Sequence, residues 1–88
     1  MELKFKNEKG LYEAEFEATS DFNLHIERKN YGRIEIYQKT SSETNYASIP
    51  SYGANAADIL NLDFSMAVYP KYIKVVSYSE PVKGIVTM

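Results

Sequence analysis

The chain contains no cysteine, no tryptophan and a single histidine, with only three prolines and four glycines in 88 residues. Without cysteine there is no disulfide and no thiolate zinc site. With one histidine, a transition-metal centre would need mostly carboxylate ligands. The motifs G-x-S-x-G, H-E-x-x-H and G-x-x-x-x-G-K-[ST] are all missing. Charge of one sign is also lacking. Ten Lys and Arg against twelve Asp and Glu leave a net charge of −2, a mixed surface rather than a basic footprint for phosphates. No apolar run approaches the roughly 20 residues of a membrane span. The start, MELKFKNEKG, is charged and has no apolar stretch of the signal-peptide kind. These absences predict a soluble protein, cytoplasmic at synthesis, with no cofactor, no metal, no nucleic-acid partner and no membrane contact.

What is present is alternation. A chain of 88 residues fits one domain spanning 1–88, and its apolar residues recur with period two. Tyr12, Ala14, Phe16 and Ala18 face one way and Glu13, Glu15 and Glu17 the other. Phe22, Leu24 and Ile26 alternate with Asn23, His25 and Glu27; Ile34 and Ile36 alternate with Arg33, Glu35 and Tyr37. Leu60, Leu62, Phe64, Met66 and Val68 form another inward set, while KYIKVVSY is apolar on both faces and reads as a central strand. A last short strand is expected over Lys83–Thr87. Turn signals fall between the runs at Asn7–Gly10, Asn30–Gly32, Pro50–Gly53, Tyr69–Pro70 and Glu80–Pro81. One helical turn over Asn55–Leu60 is the alternative to a strand start there. The fold class predicted is all-β, an antiparallel β-sandwich of about eight strands.

Register follows from the same pattern, because a one-residue slip would turn every side chain to the wrong face. A first hairpin around Lys9-Gly10 predicts Lys6 opposite Glu13, Phe5 opposite Ala14, Lys4 opposite Glu15 and Leu3 opposite Phe16. A second hairpin around Asn30-Tyr31-Gly32 sets Ile26 against Ile36 and His25 against Tyr37, which turn grammar favours. The other register sets His25 against Glu35 and Glu27 against Arg33.

Two constellations invite a catalytic reading. His25 lies near Glu27, but on the polar parity of its strand, and a flat sheet face supplies no cleft for general acid–base work. Glu13, Glu15 and Glu17 are roughly 7 Å apart along one face, a separation found in glycosidase carboxyl pairs. Such pairs lie in grooves, whereas Lys4 and Lys6 are expected to face this row and keep it ionised. Asp58, Asn61 and Asp63 are the one calcium-like grouping, though loop Asn and Asp are more often turn formers. Lys71, Tyr72, Lys74 and Tyr78 make a short basic-aromatic stripe of the kind that binds single strands, but the acidic balance argues against it. No catalytic residue is expected.

Contact is better served by tyrosine, which buries much area at low entropic cost. Of the eight tyrosines, Tyr31, Tyr46 and Tyr52 fall outside the regular core pattern and form the candidate partner-binding or ligand-binding set.

RIEIYQKTSSETNYASI followed by LNLDFSMAVYPKYIKVVSYSEP resembles the layout of small galactose-binding-like and jelly-roll sandwiches, in which a strand ends in a polar hairpin and a later strand of the Tyr-Ile-Lys-Val kind lies in the sheet centre. The whole chain is also similar to compact all-β proteins encoded in phage or prophage virion modules. The resemblance implies a jelly-roll-like fold and a non-catalytic structural protein. Its partners would be itself, as a homo-oligomer, or other assembly proteins of a virion. The first group implies carbohydrate as an alternative ligand, with Tyr31, Tyr46 and Tyr52 as the platform.

Overall fold

The computed structural model describes residues 1–50 and 54–88. Nine strands occur among them: β1 (Lys6–Glu8), β2 (Leu11–Ala18), β3 (Phe22–Arg28), β4 (Gly32–Lys39), β5 (Ala47–Ser48), β6 (Ala54–Ala56), β7 (Ile59–Phe64), β8 (Lys71–Ser77) and β9 (Pro81–Thr87). All pairings are antiparallel. The larger sheet has the order β1-β2-β8-β4-β5, with β6 also on β4; the smaller has the order β7-β3-β9. β8 is central, as its two apolar faces predict. The helical turn over residues 55–60 is not formed: β6 ends and β7 begins there.

The alternation in each long strand becomes burial. Ala14, Phe16 and Ala18 from β2, Ile34 and Ile36 from β4, and Ile73 and Val75 from β8 meet Phe22, Leu24 and Ile26 from β3, Phe64 from β7 and Val86 from β9 in one core. Aromatic rings bridge the sheets. Phe22 meets Phe16 edge-on with centroids 5.3 Å apart and stacks on Phe64 at 4.9 Å, arrangements that ring quadrupoles favour.

The first hairpin is partly as expected. Lys6 is opposite Glu13 and Glu8 opposite Leu11. Lys9 (φ 54°) and Gly10 (φ 84°) form its two-residue turn with both φ positive, the backbone that matches strand twist. The expected pairs beyond Lys6 do not form. The chain leaves the β2 edge and crosses to β9, where Leu3 N donates to Gly84 O and Val86 N to Met1 O, each at 2.8 Å. The crossing is possible because Gly84 has no side chain. A Cβ there would lie 2.9 Å from Phe5 Cε2 and 3.2 Å from Leu3 Cβ. It carries Leu3 into the core and satisfies the outer edge of β9.

The second hairpin does not form in either register. β3 pairs with β7 and β9, and β4 pairs with β8, β5 and β6. Asn30-Tyr31-Gly32 is a corner that carries the chain from one sheet to the other. His25 is opposite Asn61 and Ile85, and Ile26 opposite Leu60 and Gly84. The physical reason is Arg28. It shares the inward parity of Leu24 and Ile26 and is 4% exposed. Its guanidinium donates to the carbonyls of Ala56 (2.9 Å), Ala57 (2.6 Å) and Arg33 (3.3 Å) and to Ser77 Oγ (3.3 Å). These partners belong to three different parts of the chain, and a flat two-strand hairpin would not bring them together. Backbone bonds secure the corner: Arg28 N to Asp58 O at 2.8 Å and Lys29 N to Glu80 O at 2.9 Å.

Candidate functional site

The outer face of the large sheet gathers most of the polar aromatic groups. Cross-strand register builds it row by row. Glu13, Val76 and Glu35 form one row, Glu15, Lys74 and Tyr37 the next, and Glu17, Tyr72 and Lys39 the third. The carboxylate row is therefore answered by Lys74 from β8, not by Lys4; Lys74 Nζ lies 3.8 Å from Glu13 Oε1. Of the basic-aromatic stripe, Tyr72, Lys74 and Tyr78 share this face while Lys71 has the other parity, and glutamates flank the stripe on both neighbouring strands.

Tyr46 lies over this grid. The turn before it is closed by Thr44 N donating to Ser41 O at 3.2 Å and Glu43 N to Ser41 Oγ at 3.1 Å. The Lys39 ammonium is 4.4 Å from the Tyr46 ring centroid and 5.9 Å from that of Tyr72. The Lys74 ammonium is 4.9 Å from Tyr46 and 5.0 Å from Tyr37. Both lie within the reach of cation–π attraction. Burial, then a hydrogen bond to Glu15, pushes the Tyr46 phenol above its ordinary value. A groove of about 330 Å³ runs beside it, lined by Glu15, Phe16, Glu17, Lys39, Tyr46 and Tyr72.

Glu35 anchors the other end of the face. It accepts from Arg33 Nε at 2.9 Å, Tyr37 OH at 2.8 Å and Tyr78 OH at 3.4 Å. Burial works to raise its pKa, but the bonds from Arg33 and Tyr37 outweigh it and hold the carboxyl below its ordinary value.

The three tyrosines singled out by sequence are not one patch. Tyr46 is half-buried at the grid. Tyr31 is 67% exposed at the β3–β4 corner. Tyr31 precedes β4 and Tyr46 stands by its far end, so roughly 20 Å of strand separates them at about 3.3 Å per residue. Tyr52 lies outside the described residues. The rings that do join Tyr46 are Tyr37, which the alternation pattern absorbed as an ordinary strand residue, and Tyr72, which sequence placed in the basic-aromatic stripe and not with Tyr46. Only strand order could have revealed them, since they flank Lys74 and Lys39 across β8 and β4.

His25 stands on the outer face of the small sheet. Its Nε2 is 2.8 Å from Glu27 Oε2. That hydrogen bond is the main cause holding the Glu27 carboxyl below its ordinary value. The pair lies on an open face between Asn61 and Ile85, so no wall excludes water from it. Asn61 and Asp63 also face outward from β7, where Asp63 accepts from Asn23 Nδ2 at 2.9 Å. Among the described residues, no three His, Asp or Glu side chains are grouped to hold a metal ion, and no helix is long and apolar enough to cross a membrane.

A second groove, of about 410 Å³, lies where the N-terminal segment crosses between sheets and is lined by Leu3, Phe5, Tyr12, Glu80, Val82 and Lys83 among others. It sets Lys83 and two glutamates, Glu2 and Glu80, around the crevice and gathers no nucleophile with a base. The chain matches no protein-family model, no curated protein and no solved structure.

Proposed function

We propose that this protein is a non-catalytic structural or interaction protein, a subunit of a larger assembly such as a phage virion. One observation carries the reading: the chemically capable side chains are already spent, most of them on one another across open sheet faces. His25 is bonded to Glu27, Lys39 and Lys74 lie against tyrosine rings, and Arg28 is consumed by backbone carbonyls. What a partner meets is therefore surface and strand edge, the means by which subunits recognise one another. The passage of the chain back and forth between the two sheets supports the jelly-roll likeness within this reading. The test is recovery of the native protein with particle proteins from the producing cell, alongside its mass by light scattering. Recovery in particles or a defined oligomer is expected. A monomer at all concentrations that never cofractionates with particles would reject the proposal.

Carbohydrate capture is the second reading, favoured by the tyrosine-lined groove beside Glu15 and Glu17. The lysines weaken it, since their ammonium groups already occupy positions against the rings on which a sugar would stack. Chemical-shift changes at Tyr46 and Tyr72 in a glycan panel would support it; silence across the panel would remove it.

A further inference from the structure

The edges of the two sheets are not equally protected. β1 is three residues long and carries Lys6 and Glu8; β5 and β6 have two and three residues. The β9 edge is covered by the N-terminal segment. β7 differs. Ile59–Phe64 reads ILNLDF, with no proline, lysine or glycine, and among the described residues it pairs on one side only, with β3. Short length, lysine, proline and bulges are the devices that keep an edge from pairing with another chain, and β7 has none of them.

The phase of its free backbone can be worked out. Arg28 N donates to Asp58 O, and the register puts Ile26 opposite Leu60 and Leu24 opposite Leu62. Hydrogen-bonded and non-bonded pairs alternate in an antiparallel ladder. Leu60 and Leu62 therefore turn their N–H and C=O groups toward β3, while Ile59, Asn61 and Asp63 turn theirs outward. The strand is also self-complementary. Antiparallel pairing about a two-fold axis at Leu62 sets Asn61 opposite the second copy's Asp63, an amide against a carboxylate, and Leu60 opposite the second copy's Phe64. Centring on Asn61 instead would set Ile59 against a carboxylate. Ile59 is 59% exposed, and a net charge of −2 offers little repulsion between copies.

We propose that β7 is a self-docking edge, at which two copies of this chain pair antiparallel about Leu62 and join their small sheets into one continuous sheet. The proposal rests on the assembly reading and specifies its contact. Because the outward N–H of Asn61 serves the second copy and not β3, Asn61→Pro removes the docking bond from an edge position where proline is tolerated. Asn61→Glu alters only an exposed side chain and sets like charges opposite one another twice, which disfavours pairing.

The experiment is sedimentation or light scattering of the full chain over a concentration series, with circular dichroism to confirm folding. The wild type should have the mass of two chains, and each variant should weaken the dimer by about tenfold or more while keeping the β spectrum. If Asn61→Pro fails to fold, Asn61→Glu alone decides the matter. Since the chain has no other cysteine, Leu62→Cys should cross-link to its own copy under mild oxidation. A wild type that self-associates equally with both folded variants would overturn the edge and leave the assembly reading standing. A wild type that stays monomeric overturns the edge, and recovery with particles then judges the assembly reading on its own. Cross-linking by Asn61→Cys in place of Leu62→Cys would overturn the register.

Discussion

Replacing Arg28 with alanine should cost about 3–5 kcal/mol, the range seen when one member of a buried charged network is removed. The magnitude follows from its contacts. The two short bonds reach Ala56 O and Ala57 O at 2.9 and 2.6 Å; the two at 3.3 Å are marginal by geometry. Both bonds are part-buried and Ala57 is exposed, so each carbonyl left without a donor costs toward the lower end of roughly 1–3 kcal/mol, and the lost packing of the buried Arg28 stem supplies the rest. Against this stands the cost of burying the cation. Burial lowers the guanidinium pKa, while the Asp58 carboxylate draws it back. A chain of 88 residues carries on the order of 4–13 kcal/mol in total, so the variant should be close to unfolding. At about 4–8 °C per kcal/mol for a domain this size, the midpoint should fall by about 12–40 °C in a thermal melt followed by circular dichroism. Arg28→Met keeps the apolar stem but still orphans the carbonyls, so its loss isolates the polar part. If both variants melt within about 5 °C of the wild type, roughly 1 kcal/mol, the corner is not held by this residue and the explanation for the missing hairpin fails.

Other substitutions and titrations probe separate links. Phe16→Ala, which removes the ring that meets Phe22, should cost about 3–5 kcal/mol in denaturant unfolding. Gly84→Ala forces Phe5 and Leu3 aside and should cost about 1–3 kcal/mol, with loss of amide protection at Leu3 in hydrogen exchange. The Glu27 and Glu35 carboxyls are held low in the folded protein. Stability from them is present above the ordinary carboxylate range and is lost as pH falls through their folded values; His25→Ala should return the Glu27 titration, read by NMR, toward its ordinary position. The Tyr37, Tyr46 and Tyr69 phenols are raised. Their contribution is complete below the ordinary phenol value of about 10 and disappears as pH rises, so ultraviolet titration should show delayed ionisation that coincides with unfolding.

Within the strands that form, sequence alone disclosed which way the side chains point, because burial on one face demands period two. The inward set read from Leu60 to Val68 holds only to Phe64, where β7 ends, and Val68 is 55% exposed. Ala14, Phe16, Leu24, Ile36 and Val75 are all buried as the alternation requires, and the hydrophobic run of β8 marked it as central. Beyond the first hairpin, where Lys6 is opposite Glu13 as expected, strand neighbours were not legible, since alternation sets a face without naming a partner. Asn30-Tyr31-Gly32 satisfies the grammar of a tight hairpin and that of a corner equally well. Two residues carried the missing information. Arg28 on an inward parity signals a strand end buried among carbonyls, and Gly84 inside a strand signals close approach of another backbone. The aromatic grid was half visible: Tyr46 stood out as a tyrosine beyond the strand pattern, whereas Tyr37 and Tyr72 join it only through pairings between strands distant in sequence.

The most direct test of the account is amide hydrogen exchange along β7 in dilute and in concentrated protein. In dilute solution the Leu60 and Leu62 amides should be protected and those of Ile59, Asn61 and Asp63 should exchange quickly. At high concentration the second set should become protected as well. Uniform exchange along the strand would contradict the pairing of β7 with β3 alone, and a pattern indifferent to concentration would contradict its role as the surface that meets another copy.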